Sequence, residues 1–114
     1  MKSKRLTIKI NKPAYEIFAF LLNPANSPLW LDVVKEEVNE TPVKLGTIFR
    51  NINKNGKSSK YTITDFEENK CFVFTANDKN YNVRYTFHPL SATATEIEYF
   101  EWVNTGELED PFTL

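Results

Sequence analysis

From Val33 to Asn104 the chain repeats one pattern: a stretch rich in β-branched and aromatic residues, then a short cluster of Asn, Asp, Glu, Gly or Pro. Such segments read as strands joined by tight turns. The pattern predicts strands over 33–41, 47–53, 60–66, 70–76, 81–87 and 93–104. Asn53-Lys54-Asn55-Gly56 is a strong hairpin signal, because Asn and Gly tolerate the positive φ of tight turns. Consecutive hairpins make neighbouring strands antiparallel. Alternation then assigns faces. Tyr81, Val83, Tyr85 and Phe87 share one side of their strand, with Asn82, Arg84 and Thr86 on the other. In the last strand Ile97, Tyr99, Glu101 and Val103 oppose Glu96, Glu98, Phe100 and Trp102.

The first thirty residues differ. Leu6, Ile8 and Ile10 alternate with polar residues, which predicts a seventh, N-terminal strand. Asn11-Lys12-Pro13 then opens a helix, with Asn11 as a candidate cap. Tyr15, Ile17, Phe18, Leu21 and Leu22 recur at helical spacing up to Asn23-Pro24. Pro24 to Pro28 reads as a turn or a second short helix ending at Leu29-Trp30-Leu31. The expected fold class is α+β: a curved seven-stranded antiparallel sheet with two short N-terminal helices over one face. At 114 residues, the chain has room for a single domain, 1–114.

Charge narrows the partners. With 14 basic and 15 acidic residues, nothing steers the chain to a polyanion, and no nucleic-acid partner is expected. The basic run Lys54 to Lys60 reads as a solvated hairpin tip. One cysteine, Cys71, allows no internal disulfide. The start, Met1 to Leu6, is followed by no apolar stretch, so neither a signal peptide nor a membrane span is expected, and the expected compartment is cytoplasmic. Gly46, Gly56 and Gly106 are too far apart to build a phosphate loop. No cofactor and no metal site is expected.

Several local features carry a family resemblance. The first strand runs into Pro13-Ala14-Tyr15-Glu16-Ile17-Phe18, and Asn23-Pro24 with Pro28-Leu29-Trp30 breaks the two helices apart. Leu45-Gly46-Thr47-Ile48-Phe49 opens one strand, and Tyr61-Thr62-Ile63-Thr64-Asp65-Phe66 leads another into a turn. Over about residues 5 to 103 this order resembles the helix-grip fold of the START-like (SRPBCC) superfamily, which includes polyketide cyclase-like proteins. The resemblance implies a sheet wrapped around a hydrophobic cavity. Its uses range from carriage of small apolar molecules to cyclase or dehydratase chemistry, and one branch activates a chaperone ATPase by protein contact. Relatives end in a long helix across the sheet. Here that helix is expected to be absent or truncated at Glu109 to Leu114, and an uncovered groove would favour a homodimer.

The candidate ligand-binding wall is Trp30, Tyr61, Phe72, Phe74, Tyr81, Tyr85, Phe87 and Tyr99. Its tyrosines favour a cavity over a plain core, because a buried phenol needs a hydrogen-bond partner. Glu101 shares the cavity face, and a carboxylate there must be paired or have its pKa raised. Arg50 is a candidate partner if Ile48 and Ile52 point inward, although Phe49 competes for that side. Asp65 shares the Tyr61–Ile63 phase. Glu101, Asp65 and Arg50 are therefore the candidate catalytic residues, against the simpler reading that they are solvated at strand ends. His88, the single histidine, reads as a surface residue, and Cys71 as a buried, inert thiol. The expected function is binding of an apolar or aromatic small molecule. The alternatives are a cyclase, dehydratase or hydrolase using a cavity carboxylate, and an interaction module using Phe100 and Trp102 on the outer face.

Overall fold

The computed structural model describes residues 2–31 and 33–106. In chain order the elements are strand β1 (Ser3–Ile10), helix α1 (Ala14–Leu22), a 3-10 turn (Pro24–Asn26) and the one-turn helix α2 (Ser27–Trp30). Strands β2 (Lys35–Val38), β3 (Ile48–Ile52), β4 (Ser58–Glu67), β5 (Cys71–Ala76), β6 (Tyr81–Ser91) and β7 (Ala94–Val103) follow. The seven strands form one antiparallel sheet in the order β1-β7-β6-β5-β4-β3-β2. Strands β2 to β7 lie in sequence order because each turn returns the chain beside the strand it has left. At the Asn53 turn the side-chain oxygen accepts from the Asn55 and Lys57 amides at 2.9 and 3.0 Å. Gly56 supplies the positive φ of 78°.

Only β1 breaks sequence order, pairing with β7 at the far edge from β2. The connection between these two edges carries both helices, which cover one face of the sheet. Helix α1 begins with Pro13 at the capping position and no side-chain cap, so the expected cap at Asn11 is not used. Asn23 instead caps the next turn, accepting from the Ala25 amide at 3.0 Å.

Ile17, Phe18 and Leu22 are the buried stripe of α1. The Phe18 ring meets Phe66, Phe72 and Phe87 edge to face, with centroids 5.4–5.5 Å apart. Such contacts add about 0.5–1.5 kcal/mol each beyond the area they bury. Phe49, Ile63, Val83, Tyr85 and Ile97 extend this core across the sheet.

Three strand details depart from expectation. β2 is shorter than 33–41. β6 continues through Pro89 to Ser91, where a turn was expected, because a register shift between Pro89 and Ser91 accommodates the missing N–H. In β4 a second shift falls between Ile63 and Asp65. The extra residue puts Thr64 and Asp65 both in solvent and brings Phe66 inward. The C-terminal helix expectation falls on 107–114, outside the described residues. Among the described residues no helix is long and apolar enough to cross a membrane.

Candidate functional site

Beside the closed Phe18 core, the helix-facing side of the sheet opens into a cleft under α2. Leu21, Trp30 and Leu31 form its roof, and β2, β3, β4, β5 and β6 supply the floor and walls. The centres of water-sized molecules can occupy about 40 Å³ of it. One water needs roughly 10–15 Å³ by this measure, so the cleft holds a few waters or a small organic group.

The walls are rings set at steep angles to one another. Trp30 meets Tyr85 at 5.8 Å and 84°, Phe49 meets Phe74 at 5.0 Å and 81°, and Tyr61 meets Tyr81 at 6.4 Å and 72°. All six line the cleft. The indole N–H of Trp30 is buried and has no partner among the described residues, and an unsatisfied buried donor costs about 1–3 kcal/mol.

Two polar residues line the cleft with them, Glu36 from β2 and Asn51 from β3. They are paired across the two strands, and the Asn51 amide donates to Glu36 Oε2 at 3.4 Å. The hydroxyl of the fully buried Ser27, in α2, donates to Glu36 Oε1. Burial pushes the Glu36 carboxyl above the usual range, and these two hydrogen bonds only partly oppose it. No Lys, Arg or His lines the cleft among the described residues.

Behind Tyr81 lies a second carboxylate. Glu101 is completely buried, and its Oε2 accepts from the Tyr81 and Tyr99 hydroxyls, both at 2.6 Å. Oε1 has no hydrogen-bond partner among the described residues. Tyr81 and Tyr99 are pushed well above the ordinary phenol pKa, first by burial and then by hydrogen bonding to Glu101. Tyr85 is raised by burial and then by the Glu101 charge.

A family described as "Domain of unknown function (DUF3284)" matches residues 5–111. The chain belongs to that family. Among curated proteins none matches it significantly. Solved structures share the fold at low identity. The protein XoxI from Bacillus cereus is 11% identical with a TM-score of 0.72, over 93% of this chain and 80% of that one. Protein Ms6760 from Mycobacterium smegmatis is 16% identical at TM-score 0.67, covering 90% and 73%. The Aha1 dimer from Colwellia psychrerythraea is 14% identical at TM-score 0.71, covering 96% and 81%. At such identities the likeness is one of fold.

In this DUF3284 member the residues singled out from the sequence fall into three groups. Trp30, Tyr61, Phe74, Tyr81 and Tyr85 line the cleft. Phe72 and Phe87, at 0% and 4% exposure, are packed into the Phe18 core instead, and Tyr99 holds Glu101. The expected Arg50–Asp65–Glu101 cluster does not form. Phe49 takes the inner position of β3, which turns Arg50 outward opposite Glu37 and Lys60. The β4 bulge exposes Asp65, and the partners of Glu101 are phenols. His88 is exposed on the outer face. Cys71 is half-buried rather than buried, its thiol raised by burial and then by Asp65 and Glu67. Glu36 was missed in the sequence because it sits in the charged run Lys35-Glu36-Glu37. The signal was Val38, two residues on and on the same face of the strand.

Proposed function

We propose that this protein is a single-domain, small-molecule-binding protein of the START-like, helix-grip type, and that its ligand sits in the cleft under Trp30. The observation that carries this reading is the cleft itself. Six aromatic side chains surround it, with a carboxyl and an amide among them. A mostly apolar concavity with a few convergent polar groups is the common form of a ligand site. In this reading Trp30, Tyr61, Phe74, Tyr81 and Tyr85 make the ligand's apolar contacts and Glu36 and Asn51 orient its polar end. Catalysis by Asp65 or Arg50 would require residues that the fold places in solvent on the opposite face.

A second reading, contact with a protein partner through the outer face, is favoured by one observation. Phe100 and Trp102 stack there at 5.5 Å, with the Arg84 guanidinium over both rings and Arg5 over Phe100. Aromatic and Arg side chains together are common at interface centres.

Native mass spectrometry of gently purified protein separates the two. The expected spectrum shows a mass excess over the sequence that disappears on denaturation, and it also reads out monomer or dimer. A bare mass, together with an unchanged thermal midpoint in millimolar phenol, benzylamine and choline, would overturn the small-molecule reading.

A further inference from the structure

Resting on the assignment of the cleft as a ligand site, we infer that its ligand is a small organic cation, an alkylammonium. Two features agree. The first is charge. Glu36 is the only carboxylic acid lining the cleft, and no Lys, Arg or His lines it, among the described residues. Its oxygens accept hydrogen bonds from neutral groups, Ser27 and Asn51. The fold thus desolvates a carboxylate and gives it no counter-ion inside the cleft. A cation there would offset the burial that pushes Glu36 upward, whereas an anionic ligand would meet repulsion and no donor side chain carrying positive charge.

The second feature is shape and π-character. Six aromatic rings line the cleft, in edge-to-face pairs that meet at 72–84°. The face of an aromatic ring is its negative side, and a methylated ammonium placed against such a face is attracted by it. Each contact is worth about 0.5–2 kcal/mol once desolvated. The small volume suits a compact head rather than a long chain.

The test compares choline with 3,3-dimethylbutan-1-ol, its uncharged isostere, by calorimetric titration of the wild-type chain and of Glu36→Gln. Choline is expected to bind at least about tenfold more tightly than the alcohol, and Glu36→Gln is expected to remove most of that difference. Near-isosteric Gln keeps an acceptor for Ser27, and a thermal melt of the variant checks that it folds. The wild-type comparison stands even if it does not. Equal affinity for the two compounds would overturn the cation assignment while leaving the cleft as a binding site. Binding of neither would also overturn it, and the mass excess in the native spectrum would then decide the broader reading separately.

Discussion

Replacing Phe72 by alanine is expected to lower the unfolding free energy by about 3–5 kcal/mol, the usual cost of removing a buried phenylalanine ring. Phe72 is 0% exposed and meets Phe18, Phe74, Tyr85 and Phe87. It joins the core beneath α1 to the cleft beneath α2. Its loss leaves a void that four aromatic neighbours cannot fill without abandoning their own contacts. A domain of this size has about 5–15 kcal/mol in total, so the variant sits near the edge of folding. Urea denaturation provides the measurement. Ile8→Ala is the matched control: Ile8 is 60% exposed on the edge strand β1, and the expected change is within about 0.5 kcal/mol. Equal effects at the two positions would show that the core does not run through Phe72.

The second large effect concerns the phenol–carboxyl group. Tyr81→Phe combined with Tyr99→Phe removes both donors from Glu101 Oε2 and leaves a completely buried carboxyl without a hydrogen bond. The expected loss is about 2–5 kcal/mol, from two hydrogen bonds to a buried carboxyl. Glu101→Gln keeps an oxygen for both phenols and is expected to lose much less.

The same tyrosines give the protein an alkaline limit. In the unfolded chain a phenol ionises near pH 10, whereas Tyr81, Tyr85 and Tyr99 in the folded state hold their protons to higher pH. Above about pH 10 the unfolded state therefore binds fewer protons, and stability falls as pH rises. The contribution is fully present below pH 10. The urea midpoint is expected to drop between pH 9 and 11 in the wild type, and by less in the double variant. A midpoint as pH-dependent in the double variant as in the wild type would remove Tyr81 and Tyr99 from the explanation.

Much of this fold was legible because its strands are short, alternating and separated by turn residues. Tyr81 to Phe87 and Ile97 to Val103 place their side chains on the faces that period-2 alternation predicts, and α1 buries Ile17, Phe18 and Leu22 of its expected stripe while leaving Tyr15 exposed. What escaped the sequence was register. The segment Ile48-Phe49-Arg50-Asn51-Ile52 carries apolar residues in both phases. Only pairing with β2 and β4 puts Phe49 inside and Arg50 outside. The β4 bulge is an inserted residue with no local signature, and it moved Asp65 from the expected face to the other. The division of the aromatic set was equally hidden. Phe72 and Phe87 differ from Tyr61 and Tyr81 only in lying under α1 rather than beside α2, a matter of where the helical connection crosses the sheet. Glu36 became visible when β2 and β3 paired and brought it against Asn51 under Ser27.

The protein carries two tryptophans, one in the wall of the cleft and one on the outer face, and this gives the central claim a direct test. In a nitrogen-15 correlation spectrum each indole N–H gives its own signal. Titration with phenol, benzylamine and choline is expected to shift the Trp30 signal with at least one compound and to leave Trp102 where it was. A Trp30 signal that none of the three moves, or movement of Trp102 alone, would contradict the assignment of the cleft as the functional site.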